Sequence, residues 1–312
     1  MIEIKINANE AGQRLDKMLF KYLKEAPKSF VYKMLRKKNI TLNGKKSSGD
    51  EKLSEGDLVK LFLSDETIIK FRGGDSKVLP EDIFVPDIVY EDKNVLFINK
   101  PAGMLSQKAS ADDFSANEYL LKYCMDKGYY SDEDLRSFTP SVCNRLDRNT
   151  SGLLTFGKSL EGLQALSACF KDRSVGKFYQ AIVKGRVDNA GEIKGYLTKD
   201  QVTNKVTISD KESKGSSFIY TEYEPLSSND DFSLLEIELH TGKTHQIRAH
   251  MSFLGHPVIG DVKYGGPGRK HLMLHSHRLV FPAGLEGALS NLAGKEFVAP
   301  VPDYFENYIN RR

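Results

Sequence analysis

The chain predicts an α+β protein in two parts: a large domain built on a mixed, largely antiparallel sheet, preceded by a small α/β module. Three observations carry that expectation. Over residues 83–312, strand-like segments outnumber helix-like ones and do not alternate strictly with them, which disfavours a doubly wound sheet. Residues 1–63 run helix, helix, hairpin. Between the two, "SDETIIKFRGGDSKVLPED" (residues 64–82) mixes polar residues with Gly-Gly and Pro and reads as a linker. A length of 312 residues suits two domains and is enough to bury a substantial core.

The elements follow in order. "RLDKMLFKYL" puts Leu15, Met18, Leu19, Tyr22 and Leu23 at helical spacing. After Pro27, "SFVYKMLRKKN" repeats the period, with Ser29 as N-cap and bases in its last turn. "ITLNGKK" alternates and meets an Asn-Gly turn, a hairpin signal, and "GDLVKLFL" is a further strand. In the larger domain "VLFINK" reads as a buried strand, ended by the sharp turn "KPAG". Ser115 and Glu118 form a capping box ahead of the helix "ANEYLLKYCMDKG". "GLLTFGKS" is a strand, "SLEGLQALSACFKD" a helix capped near Ser159, and "KFYQAIVKG" a strand. "EIKGYLTKDQVTNKVTIS" and "SSFIYTEYEPL" are strand-rich, and "FSLLEIELH" alternates Leu235, Ile237 and Leu239 on one face. The turn "TGK" leads into a short helix, "THQIRAHMSFLG", capped by Thr244, striped by Ile247, Met251 and Leu254, and ended by Gly255. "HPVIGDVKYGG" returns to loop.

Composition narrows the class. Apolar content of 40% and charged content of 28% describe an ordinary soluble protein. No stretch is long and apolar enough for a bilayer span, and the N-terminus has no signal-like run, so no membrane partner is expected. Cys124, Cys143 and Cys169 are scattered, odd in number and form no CxxC, which points to a reduced, cytoplasmic chain without structural zinc. The net charge of +3 hides an asymmetry: residues 1–63 hold 14 Lys/Arg against 8 Asp/Glu. Lys28 to Lys46 contains seven bases and no acid, the footprint of a surface that binds phosphate backbones. Lys33, Arg36, Lys37 and Lys38 lie at its centre.

The chemistry centres on "CNRLDRNTSGLL", where Asp147 stands between Arg145 and Arg148 just before a turn. On an extended segment Arg145 and Asp147 share a face and Arg148 points away. The spacing alone fits a structural ion pair as well as a carboxylate held ionised and aimed for catalysis. Other chemistries lack their signatures: no GxSxG, no HExxH and no GxxxxGK[ST] occurs. The histidines of "THQIRAHMSFLGH" have no cysteine nearby and Asp261 as the one close acid, so no metal is expected.

Two resemblances extend this reading. "RLDKML", the basic second helix, "ITLNGKK" and "EGDLVKL" in that order resemble the S4-like RNA-binding domain, which implies that the basic face docks on structured RNA. "INKPAG", "NRLDRNTSGLLTFGKS", "KFYQAIVKG" and "GKTHQIRAHMSFLGHPVIGD", in sequence order, look like the pseudouridine synthases that modify large-subunit ribosomal RNA and some transfer RNA. The resemblance runs from about Ile88 to Pro282, near "LMLHSHRLVFP", and implies that family's fold for residues 83–312.

It also implies roles. Asp147 matches the essential aspartate, and Arg248 the basic residue paired with it. Tyr179 matches the tyrosine that stacks on the target base and assists loss of the C5 proton. Arg145 matches an arginine at the vacated base position, and Leu153 or Leu154 the apolar pocket wall. Backbone contacts are expected from Lys100, Arg148, Lys243 and the basic N-terminal face. The reaction needs no cofactor, and a monomer is the family's usual state. Asn144 and Lys243 depart from the more common His and Arg, which touches substrate identity more than reaction type. A transfer RNA target, or a non-catalytic RNA-binding or ribosome-assembly role, remains an alternative.

Overall fold

The structure, a computed structural model, describes residues 1–7, 10–73, 79–80, 87–110, 112–200 and 205–309. Its elements in chain order are β1 (Ile2–Lys5), α1 (Leu15–Tyr22), α2 (Lys28–Arg36), β2 (Ile40–Leu42), β3 (Leu58–Leu61) and α3 (Asp65–Arg72). Then come β4 (Asp87–Glu91), β5 (Val95–Lys100), α4 (Ala116–Asp126), α5 (Asp134–Ser137), β6 (Ser141–Val142), β7 (Ser151–Gly157) and α6 (Leu160–Asp172). Next are β8 (Gly176–Lys184), β9 (Gly191–Lys199), β10 (Val206–Ser209), β11 (Ser217–Ser228) and β12 (Phe232–Leu239). The chain ends with α7 (Gln246–Phe253), β13 (Leu274–Val280), β14 (Glu296–Val298) and α8 (Asp303–Ile309).

In the N-terminal part, a three-stranded antiparallel sheet of order β1-β3-β2 carries α1 and α2. The periodic apolar residues of "RLDKMLFKYL" all face inward, with Leu15, Met18, Leu19 and Leu23 fully buried. Asn43 and Gly44 take positive φ of 50° and 73°, the geometry of a tight hairpin turn, and Leu42 and Lys45 exchange backbone hydrogen bonds across it. The second helix starts two residues earlier than Ser29 capping implies, at Lys28 with Pro27 as its N-cap. The Pro27 carbonyl accepts from the backbone of Phe30 and Val31, so the proline sets the first turn.

The segment read as a linker contains α3. Ser64 caps it by accepting from the Thr67 backbone, acids occupy its first turn and bases its last, and Ile68 packs into the N-terminal core. Local capping and one buried contact outweigh the polar composition. The rest of the linker reading, and the expected boundary at 82–83, fall largely outside the described residues. The N-terminal part meets α5: Arg72 pairs with Glu133, and Glu10 accepts from the Ser137 hydroxyl.

Among the described residues the large sheet has 11 strands, in the order β10-β9-β11-β12-β8-β13-β7-β5-β4, with β14 on β13 and β6 on β7. Among the described residues only its β7–β13 pairing is parallel, so the architecture is α+β with a mixed, largely antiparallel sheet. Its central strands are buried on both faces. In β5, Leu96 and Ile98 enter one apolar cluster while Val95 and Phe97 enter another on the opposite side. Glycine permits the parallel contact: a Cβ on Gly152, at φ 110°, would stand 2.2 Å from the Ser276 carbonyl oxygen. Among the described residues no helix is long and apolar enough to cross a membrane.

Candidate active site

The cleft forms where the loop before β7, the middle of β8 and the start of α7 converge. It encloses about 570 Å³ and is lined by Asn144, Arg145, Leu146, Asp147, Tyr179 and Arg248, among others. That volume lies in the range of small-molecule sites.

The Asp147 loop is held from below. Leu146 is buried, its backbone N–H donates to the Ser106 hydroxyl, and that hydroxyl donates back to the Leu146 carbonyl at 2.9 Å. Gly103, in the "KPAG" turn, donates to the Arg148 carbonyl at 2.8 Å. Lys100 completes the clamp. Its ammonium donates to the carbonyls of Pro101 (2.9 Å), Met104 (2.9 Å) and Arg148 (3.3 Å).

This corrects the expectation that Lys100 contacts RNA. Lys100 is fully buried and joins two loops beneath the cleft. Burial pulls its pKa down to about 7, opposed by the charge of Asp147.

Asp147 meets Arg248 across 101 residues of sequence. Arg248 Nη1 donates to Asp147 Oδ2 at 2.9 Å. The rest of the guanidinium is gripped by Asp261: Nε donates to Oδ2 at 2.6 Å and Nη2 to Oδ1 at 2.8 Å. Asp261 is buried, and the Tyr264 ring lies 5.1 Å from the guanidinium carbon. Burial alone would lower the pKa of Arg248, but hydrogen bonds and charge from Asp261, and then Asp147, raise it. The arginine is therefore a fixed cation whose Nη1 is turned to Asp147. Gly260 places Asp261 there: it sits at φ 83°, and a Cβ would stand 2.0 Å from the His271 carbonyl oxygen.

The helix carrying Arg248 does not start as read. Thr244 is not its cap; His245 is, in the left-handed region at φ 56° and ψ 17°. The buried Gln246 side chain organises the turn instead, accepting from Thr241 and the Lys243 backbone and donating to Thr221 and the Tyr220 carbonyl. His245 hydrogen-bonds Tyr264 through Nδ1 at 2.9 Å and brings Nε2 to 3.7 Å from Asp147 Oδ2. Burial lowers its pKa, with the charge of Asp147 opposing.

Tyr179 reaches the cleft from β8, between Ile237 of β12 and Ser276 of β13. Burial pushes its phenol up to about 12; the Ser276 hydroxyl works against this and the Asp147 charge adds to it. The ring is a neutral apolar surface carrying a donor.

The remaining sequence-derived positions divide. Arg145 and Lys243 line the cleft. Arg148 is exposed, does not line it, and donates from Nε to the Gly103 carbonyl. Leu153 and Leu154 do not form the apolar wall. They are fully buried in the two clusters on opposite faces of β7, because adjacent strand residues point opposite ways. Leu146, Leu239, Ile247 and Leu274 line the cleft in their place. Asn144 accepts from Thr155 and donates to the Leu153 carbonyl, fastening the loop to β7. Lys33, Arg36, Lys37 and Lys38 are all exposed at the end of α2. Among the described residues, Glu222, Glu238 and His240 form a trio of metal-ligand type, and none of the three lines the cleft.

Sequence reading missed Asp261, Tyr264, Phe170, Arg173, Lys177 and Lys199. The "GD" of "HPVIGDVKYGG" was the available signal for Asp261, since a carboxylate after a glycine turn can answer a buried arginine. Phe170, Arg173, Lys177 and Lys199 become cleft residues only through folding, and Tyr264 supports Arg248 and His245 without lining the cleft.

Residues 94–253 match the family model described as RNA pseudouridylate synthase. The chain is 33% identical to the ribosomal large subunit pseudouridine synthase D of Borreliella burgdorferi, over 99% of this chain and 93% of that protein. It belongs to the RNA pseudouridylate synthase family. The ribosomal large subunit pseudouridine synthase C of Rickettsia felis is 32% identical over 94% of this chain and 95% of its own length. Among solved structures, human RNA pseudouridylate synthase domain containing 4 superposes with a TM-score of 0.59 at 23% identity, covering 72% of this chain and 92% of the human one. That likeness supports the fold. The pseudouridine synthase fold that was expected is thus the one observed, and the chain is an RNA pseudouridine synthase.

Proposed function

We propose that this enzyme isomerises specific uridines of large-subunit ribosomal RNA, with Asp147 as the reacting carboxylate, Arg248 as its partner and Tyr179 against the target base. The observation that carries this is the 2.9 Å contact between Arg248 Nη1 and Asp147 Oδ2 inside a cleft that also holds the buried Tyr179 ring. The large-subunit target is the one borne in the names of the bacterial relatives.

The reaction breaks the N1–C1′ bond, turns the uracil and joins C5 to C1′. The C5 hydrogen leaves as a proton and N1 ends protonated, so no electrons are exchanged and no cofactor is required. Asp147 serves by attacking the sugar or by taking a sugar proton, and both roles need an oriented carboxylate oxygen. Arg248 supplies that orientation. Tyr179 is neutral at physiological pH, so it acts through its ring and a hydroxyl that relays a proton late in the reaction, and not as a standing tyrosinate. The base must leave its stack to enter, at a cost of a few kcal/mol. Arg145, Lys243 and Arg148 near the cleft, and Lys33, Arg36, Lys37 and Lys38 on an S4-like RNA-binding module, offset that cost through backbone contacts.

We place the enzyme in the cytoplasm, where it works as a monomer on RNA. The test is tritium release from ribosomal RNA labelled at uridine C5, with no metal or nucleotide added, together with pseudouridine mapping of RNA from cells with and without the protein. Release from ribosomal RNA and loss of one or a few large-subunit pseudouridines is the expected result. Loss confined to transfer RNA would reassign the target, and no release from any RNA would remove the catalytic reading.

A further inference from the structure

One wall of the cleft carries two cations that the mechanism does not use. Phe170 and Arg173 lie three residues apart at the end of α6, and both line the cleft. Lys177 lines it too, two residues before Tyr179 on the same face of β8. Two residues of strand span about 7 Å, the scale of one nucleotide.

Arg173 ends α6 in the left-handed region, at φ 65° and ψ 25°, and its backbone N–H caps the Cys169 carbonyl. Glycine would do that at less strain. Arginine there adds a guanidinium at the cleft, and strained backbone of this kind clusters at binding sites. Neither side chain forms a salt bridge among the described residues. Burial, and then the charge of Arg173, lowers the pKa of Lys177, with Glu238 pulling the other way. Two like charges held close without a paired carboxylate leave a place that an anion would complete.

We infer that Arg173 and Lys177 bind a phosphodiester of the RNA strand beside the uridine that enters the cleft, with Phe170 as the apolar floor of that subsite. The inference rests on the RNA-modifying reading above and adds a ligand subsite to it.

The experiment uses the full-length protein and ribosomal RNA labelled at uridine C5, prepared from cells lacking the enzyme. Filter binding and tritium release are followed across a KCl titration. Arg173→Gln and Lys177→Gln should each raise Kd and KM about 3–10-fold and flatten the plot of log affinity against log salt by about 0.7, with the loss falling on KM and not on kcat. Arg173→Lys, which keeps the charge, should hold the slope. Arg173→Gly separates the role from the helix cap: its melting temperature should hold or rise as strain is relieved, while RNA affinity falls. Unchanged Kd and slope in both Lys177→Gln and Arg173→Gly would overturn the inference. If the wild type releases no tritium but the variants still lose affinity and slope, the catalytic reading fails and the phosphate subsite stands. If the wild type turns over and the variants bind as it does, the subsite alone is lost.

Discussion

Replacing Asp261 by asparagine keeps the size of the side chain and removes its charge. In the native site Asp261 accepts two hydrogen bonds from Arg248, at 2.6 and 2.8 Å, and it is buried. Hydrogen bonds to charged groups contribute about 1.5–3 kcal/mol each. Asparagine keeps one acceptor and turns a donor toward the guanidinium, so the expected loss of stability is about 2–4 kcal/mol. The larger consequence is for Arg248. Without the bidentate grip its fork can rotate, and Nη1 no longer has one fixed position against Asp147. Misplacement of a reacting group by about an ångström costs roughly 100-fold in rate.

Asp261→Asn is therefore expected to lower kcat for tritium release about 100-fold with KM within roughly threefold, because Asp261 acts through Arg248 and not on RNA. Urea denaturation measures the stability loss, and single-turnover release at a temperature where the variant is fully folded measures the rate. A folded variant that is less stable yet releases tritium within threefold of the wild-type rate would refute the positioning role.

Other perturbations test other parts of the site. Tyr179→Phe keeps the ring and removes the hydroxyl; kcat should fall about 100-fold or more with KM little changed, and an unchanged kcat would leave the ring alone as the contribution. Lys100→Met tests the buried clamp through pH. Folded Lys100 gives up its proton near pH 7, whereas an unfolded lysine keeps it to about 10.4, so the unfolded state binds more protons between those values. Wild-type stability should then rise relative to Lys100→Met from pH 7 to pH 9 in urea melts, whereas a difference independent of pH would mean that the three carbonyls hold the ammonium charged. Changing Lys33, Arg36, Lys37 and Lys38 together to Gln should leave the melting temperature within about 2 °C and flatten the salt dependence of RNA binding by up to about three. An unchanged slope would take the second helix out of the RNA interface.

The division between what the sequence shows and what it hides has physical causes. The apolar periods of α1 and β12 and the Asn-Gly hairpin were legible because each is set by residues within one element. The resemblance of the ordered motifs to the family implies one site for Asp147, Tyr179 and Arg248, although spacing within "RLD" alone cannot separate catalysis from a structural ion pair. Lys100 was misread because a lysine's location depends on whether three carbonyls converge on it, and those come from two loops. Leu153 and Leu154 looked like pocket wall, but a strand buried on both faces sends both side chains into the core. Segment 64–82 looked like a linker by composition, yet Ser64 capping and the burial of Ile68 make part of it helical. Asp261 has only the glycine turn before it as a signal, and Arg173 and Lys177 carry none of their own; folding against Arg248, or onto the cleft wall beside Tyr179, gives them their surroundings.

The claim on which the rest depends is that a carboxylate at position 147 reacts with the nucleoside. Single-turnover tritium release by Asp147→Asn, with the enzyme saturating over C5-labelled ribosomal RNA, tests it most directly. The expected result is RNA binding close to wild type and no release above background. Release at the wild-type rate would contradict the account, because the amide can neither attack the sugar as a carboxylate nor accept its proton.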